Sequence, residues 1–147
     1  MKLTTKGRYG TRLLLDLALR EEKELVSLKD IAKRQQIPLA YLKHLVTPLV
    51  AGGLLHSSRG ANGGVSLAKS PGQIKLGEVI QFLEGPISVV ECVEHPEKCD
   101  RSGFCAARDI WADVGKAMRG VLESITLQDL VEMQKAKEPA KADMYYI

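Results

Sequence analysis

Three cysteines, Cys92, Cys99 and Cys105, are all that a chain of 147 residues contains, and they fall within 14 residues as C-x6-C-x5-C. Thiolates gathered on one short segment suit a soft or borderline metal, as zinc or as an iron–sulfur cluster. The spacing is that of neither a zinc finger nor a ferredoxin. A cluster takes four protein ligands, and His95, Asp100 and Asp109 are the nearby candidates for the fourth. An odd number of cysteines argues against a structural disulfide framework in a reducing compartment. Unliganded cysteines, or thiols acting through their own redox state, are the alternatives. A small thiol or electron-transfer enzyme is a remote one, because no C-x-x-C pair and no nucleotide-binding loop accompanies the three.

The segment around the cysteines, 86–106, has no periodicity and reads as a loop, so the flanking elements must position it. From Ala107 to Leu122 a helical pattern places Ile110, Trp111, Val114, Met118, Val121 and Leu122 along one side. That apolar side exceeds what a small domain buries alone and is expected to pair with a second copy. Thr126 and Asp129 resemble a cap for a last short helix carrying Leu127, Leu130 and Val131. The stretch from Lys135 reads as a mobile tail ending in Met144-Tyr145-Tyr146-Ile147, apolar enough to dock.

Upstream, Tyr9, Leu13, Leu14, Leu17 and Ala18 define the face of a first helix over about 4–19. Ser27 with Asp30 reads as the cap of a second, which Ile37-Pro38 keeps short. Pro38 opens a third, with Leu39, Leu42, Leu45, Val46 and Leu49 as its buried stripe and Gly52-Gly53 as its end. Two short helices across a tight turn make a helix-turn-helix over 28–51. Leu54–His56 and Val65–Leu67 flank a Gly-rich turn with Asn62-Gly63, the signature of a β-hairpin. A hairpin directly after a helix-turn-helix is the wing of a winged helix. Another helix near 76–83 stops at Gly85-Pro86. The fold expected is mainly α with one small hairpin: a winged helix-turn-helix over 1–85 (wing 54–68), the cysteine segment 86–106, dimerisation helices 107–134 and a tail 135–147.

Charge agrees with a polyanion at one end. Residues 1–70 hold 12 Lys and Arg against 5 Asp and Glu, a balance of +7; residues 71–147 hold 9 against 13, a balance of −4. The exposed start of the third helix offers Ala40, Tyr41, Lys43 and His44 to base edges or phosphates in a major groove. Arg59, beside Gly60 at the wing tip, suits a narrow minor groove. Lys2, Lys6, Arg8, Lys33 and Arg34 would meet phosphates without regard to sequence. The expected partner is double-stranded DNA with a near-palindromic operator, bound by a homodimer. No apolar run is long enough to span a bilayer and the first residues hold no apolar signal segment, so a cytoplasmic protein is expected.

The chain resembles the winged-helix regulators of the IscR, NsrR and CymR type over nearly its whole length. The likeness rests on Leu3-Thr4-Thr5-Lys6-Gly7-Arg8-Tyr9, on Tyr41-Leu42-Lys43-His44-Leu45, on Arg59-Gly60-Ala61-Asn62-Gly63-Gly64, on Leu76-Gly77-Glu78-Val79-Ile80, on the cysteines and on Ile125-Thr126-Leu127. It implies a homodimeric regulator, a repressor in the leading reading, sensing iron–sulfur or redox status through a [2Fe–2S] cluster on Cys92, Cys99 and Cys105. Zinc, thiol redox or cysteine metabolism, with a metabolic enzyme as partner, is the alternative within the same fold. Two departures stand out. IscR-type members carry a ligating histidine where this chain has Arg108, and NsrR-type members a ligating aspartate where it has Arg8; arginine stays protonated and ligates metal poorly. CymR-type members lack the cysteines, yet their ending resembles Met144–Ile147. Lys43 also replaces a glutamate of IscR on the third helix, which implies a different operator preference.

Overall fold

The computed structural model describes residues 2–20 and 24–145, with side chains at 2–20 and 24–138. Seven α-helices and one two-stranded antiparallel sheet make up the described residues, so the expected winged-helix class holds. α1 (Thr5–Arg20) runs through the core and buries Leu13, Leu14, Leu17 and Ala18, as the periodicity requires. Against it lies α4 (Leu76–Glu84), and the approach is close: a Cβ on Gly10 would stand 2.1 Å from Leu83 Cδ1. Any larger residue there would require Leu83 to move.

α2 (Leu28–Gln35) begins at Ser27, whose Oγ accepts from Lys29 N at 3.3 Å. Asp30 belongs to the first turn, but no bond from its carboxylate to Ser27 is present among the described residues, so the cap is one-sided. The helix ends on Gln36 in the left-handed region (φ 54°, ψ 47°), which turns the chain toward Pro38. Arg12 braces this turn, donating from Nε to Gln35 Oε1 at 3.2 Å and from Nη2 to the Gln35 carbonyl. α3 (Leu39–Ala51) then buries Leu42, Leu45, Val46 and Leu49 and finishes where Gly52 N donates to Pro48 O at 2.9 Å.

The wing pairs β1 (Leu55–Ser58) with β2 (Gly64–Leu67), Leu55 opposite Leu67 and Ser58 opposite Gly64. Its base is wider than the hairpin signal suggests. Val26 exchanges both backbone bonds with Val65, at 2.8 and 2.9 Å, which ties the wing to the entry of α2. Gly64 makes this possible, since a Cβ there would lie 2.3 Å from the Val26 carbonyl oxygen.

Two expectations need correction. The cysteine segment is not an unbroken loop: it carries the short helix α5 (Glu91–Glu94) and 3-10 turns at Pro96–Lys98 and Ser102–Phe104. Short turns of this kind bury almost nothing and leave no periodicity to read. The last helix is also not short. α6 (Ala106–Ser124) breaks at Ile125, and α7 (Leu127–Tyr145) continues through the stretch expected to be a tail. Lys, Ala and Glu at 135–138 are strong helix formers, which is why α7 does not stop there. The side chains of Met144, Tyr145, Tyr146 and Ile147 lie outside the described residues. The start of α7 is a full capping box: Thr126 N donates to Asp129 Oδ2 at 2.9 Å and Asp129 N to Thr126 Oγ1 at 3.2 Å. None of the described helices is long and apolar enough to cross a membrane.

Candidate nucleic-acid interface and cysteine segment

A helix delivers its buried and exposed residues to opposite sides, so burying Leu42, Leu45, Val46 and Leu49 turns Ala40, Lys43 and His44 outward, and all three are exposed. Between α3 and the wing opens a cleft of about 660 Å³, lined by Lys29, Lys43, Thr47, Ser57, Ser58 and Arg59 among others. Three cations and, with Ser27, four hydroxyls on one cleft are donors suited to phosphate and base edges. Arg59 and Gly60 are exposed at the wing tip, and Gly60 takes φ 105°, a conformation that favours glycine. On the other flank of α3, Lys6, Tyr41, His44, Pro48 and Phe82 line a second, smaller cleft of about 360 Å³.

The structure sorts the remaining candidates. Lys2, Lys6, Arg8 and Lys33 are exposed. Tyr41 is half-buried and meets Tyr9 edge-on, ring centroids 5.6 Å apart and planes at 85°, while Arg12 and Arg8 stand 5.4 and 5.9 Å from the Tyr9 ring. This stack fixes the first turn of α3 against α1. Arg34 does not simply face solvent. Its Nη2 and Nε donate to Asp16 Oδ1 at 2.7 Å and Oδ2 at 3.1 Å.

Sequence reasoning missed two carboxylates that hold the head together. Asp16 is 4% exposed on the inner side of α1 and also accepts from Gln35 Nε2 at 2.9 Å. Burial raises its pKa, but bonds from Arg34 and Gln35 and the charges of Arg34 and Arg20 outweigh burial and hold it below the ordinary aspartate value. A charged residue inside the stripe Leu13–Ala18 was the available signal. Glu84, at the end of α4, accepts from Thr4 N at 2.8 Å, Thr4 Oγ1 at 2.5 Å and Gly7 N at 2.9 Å, and so caps α1 from a distance. Desolvation pushes its pKa up, and these bonds with the charge of Lys6 bring it below the ordinary glutamate value. Nothing local in the sequence marks that contact.

The cysteine segment is held by arginines. Arg108 donates from Nε to the Cys92 carbonyl at 2.9 Å and from Nη2 to the Val93 carbonyl at 3.4 Å; Arg119 donates to the Ile87 carbonyl at 3.0 Å. Glu91 pairs with Lys98, whose hydrogen bond and charge hold the carboxyl below the ordinary value. Cys92, Cys99 and Cys105 are free and half-buried. His95 Nδ1 lies 3.2 Å from Glu97 Oε1, and Asp100 and Asp109 are exposed. Among the described residues no three His, Cys, Asp or Glu side chains are grouped so as to hold a metal ion. Arg108, occupied by backbone carbonyls, supplies no fourth ligand in this arrangement.

α6 buries a single residue, Gly115. Ile110, Trp111, Val114 and Val121 are 56, 42, 40 and 58% exposed, and Met118 and Leu122 are half-buried beside them. The expected apolar side is therefore largely uncovered among the described residues.

Comparison with known proteins agrees with this arrangement. Residues 3–133 match the family described as Rrf2, iron-dependent transcriptional regulator. Protein rrf2 of Nitratidesulfovibrio vulgaris is 44% identical over 131 residues, 89% of this chain and 87% of that protein. CymR of Bacillus subtilis, an HTH-type transcriptional regulator, is 40% identical over 147 residues and the full length of both. The structure of CymR, the global cysteine regulator of B. subtilis, superimposes with a TM-score of 0.76 over 90% of this chain and 98% of that one. The structure of T. potens IscR gives 0.73 at 37% identity, covering 95% and 90%. The chain is thus a DNA-binding transcription regulator and belongs to the Rrf2 family.

Proposed function

We propose that the protein is a homodimeric repressor that reads a near-palindromic operator through α3 and the wing, under the control of the cysteine segment. The observation that carries this reading is the cleft between α3 and the wing, which brings Lys43, Thr47, Ser57 and Arg59 to one surface. The uncovered side of α6 supports pairing by a two-fold axis. A dimer of this kind places its two reading heads about one helical turn of DNA apart, or a multiple of it. Selection from a random duplex pool is the test. Inverted repeats should be recovered; sites without dyad symmetry would count against the dimer.

For the effector, one reading is control through the three free, half-buried thiols themselves, as in a redox-responsive or cysteine-linked regulator. Full-length similarity to CymR supports the cysteine-linked form of that reading, not the thiol chemistry, since the CymR type lacks these cysteines. A metabolic enzyme as partner belongs to the same reading. A loop-bound cluster, [2Fe–2S] in the leading form, or zinc is a second reading, favoured by the confinement of the cysteines to 14 residues and by the iron-dependent description of the family. Protein purified without oxygen separates them: iron and sulfide in stoichiometric amounts support the cluster, zinc alone the zinc site. Metal-free protein whose DNA affinity follows thiol oxidation supports the first reading.

A further inference from the structure

A separate cleft of about 540 Å³ shares no lining residue with the one between α3 and the wing. Its floor is apolar, formed by Leu17 and Ala18 of α1 and Val131 of α7, all buried. Around the rim stand Ser66 of β2, Lys69 and Ser70 after it, Gln73 and, from α7, Gln128. The side chains of Ser66, Ser70, Gln73 and Gln128 make no hydrogen bond to another described residue, although each lines this one cavity. Lys69 gives one bond to Glu78 Oε1 at 3.3 Å and keeps its other donors. No acidic residue is among those that line it.

The volume lies in the range of small-molecule sites, and an apolar floor ringed by a few convergent polar groups is their usual build. Lys69, although it forms an ion pair with Glu78, is the one charged residue that lines the cleft and favours an anionic end on the ligand. Hydroxyls and amides offer both donors and acceptors, so the body of the ligand carries hydrogen-bonding groups, while Leu17, Ala18 and Val131 accept a short aliphatic part. We propose that this cleft binds a small organic carboxylate of amino-acid to dipeptide size, and that the ligand ties the base of the wing to α7. These two elements already approach through the segment between them, where Leu127 N donates to the Ile74 carbonyl at 2.8 Å. A ligand touching Ser66 and Gln128 together joins β2 directly to α7. Ligand capture is independent of the DNA-binding reading; its effect on operator affinity rests on that reading, and the two are measured apart.

The full-length protein is titrated with L-serine, L-glutamine, L-leucine and glycyl-leucine, each beside its C-terminal amide, while backbone amide NMR shifts are followed. At least one acid should give saturable shifts centred on residues 66–73 and 128–131, with about tenfold weaker binding of its amide. Lys69→Met should erase the preference for the acid, and Gln128→Leu should weaken binding by about tenfold or more, with thermal unfolding of both ligand-free variants unchanged. Absence of saturable shifts at about 10 mM of every probe, a range that spans weak millimolar sites, overturns the site. So do shifts centred elsewhere, or binding that survives both substitutions. Acid and amide binding equally overturns the carboxylate. Operator affinity that stays the same with the site filled overturns the link to the wing.

Discussion

Asp16 and Arg34 lie 18 residues apart in the chain and meet through two hydrogen bonds, 2.7 and 3.1 Å, where α1 passes behind the helix-turn-helix. The pair pins α2 to the core helix by a group that is itself almost fully enclosed. An arginine expected to reach out to phosphate is thereby given a structural task.

Replacing Arg34 by Met leaves the Asp16 carboxylate enclosed with only Gln35 and Arg20 nearby, and should cost about 1–3 kcal/mol of stability. Urea unfolding at pH 7 measures it. The depressed pKa of Asp16 fixes the sign of the pH dependence: its stabilisation is complete above the ordinary aspartate value and is lost as pH falls through the lower folded value. The stability gap between wild type and Asp16→Asn should therefore be widest near neutrality and narrow below about pH 4.

Glu84 caps α1 across 77 residues of sequence to Gly7. Its replacement by Ala removes acceptors from Thr4 and Gly7 and should destabilise by about 0.5–2 kcal/mol, the usual cost of removing a cap. Glu84→Gln should cost less, because an amide oxygen still accepts although its charge is gone. Hydrogen exchange of the first turn of α1 would localise the effect; exchange unchanged at Gly7 would exclude it.

Gly64→Ala should disrupt the wing base, since the added methyl meets the Val26 carbonyl at 2.3 Å and backbone cannot step aside cheaply. A loss of about 1–3 kcal/mol is expected from overpacking of this kind, together with weaker DNA binding. Val26 and Val65 amide exchange is the direct readout.

On DNA, Arg59→Ala should weaken operator binding by about 1–3 kcal/mol and relax preference beneath the wing. Lys6→Ala should act uniformly across sequences and make the salt slope shallower by about 0.9, because one phosphate fewer is neutralised. Anisotropy titrations at several salt concentrations distinguish the two behaviours.

Arg108 offers a sharp test of the effector segment. Histidine there supplies the ligand type that the likeness to IscR places at this position, and removes the bonds to the Cys92 and Val93 carbonyls. Arg108→His should retain more iron than wild type after anaerobic reconstitution, read by iron analysis and visible absorption. Equal iron in both would show that the arginine does not set ligand number.

How far the sequence carries is visible in particular residues. Leu42, Leu45, Val46 and Leu49 announce α3 because helical burial repeats at a fixed spacing, and the Gly-rich stretch announces the hairpin, although its loop spans 59–63 and the positive φ there falls on Gly60 and not on Asn62-Gly63. Thr126 and Asp129 are legible for the same reason, their partners being three residues apart. Glu84 with Thr4, Arg34 with Asp16, and Val26 with Val65 are not, because each partner is chosen by how helices and strands pack after they form. The exposed site residues on α3 follow from the periodicity; the arginine bonds that grip the cysteine segment do not. Lengths also mislead where composition is ambiguous, as Lys135–Glu138 shows by continuing α7.

A helix of 19 residues that fully buries just one glycine, and leaves most of its apolar side wet, has much to gain from a twin. Under the proposed pairing, unfolding becomes bimolecular on the way back, so the midpoint of thermal melting should climb as the protein is concentrated and sag on dilution. Cells that make only a few copies of such a chain would then hold part of it in single form, and abundance itself would set how much competent reader is available.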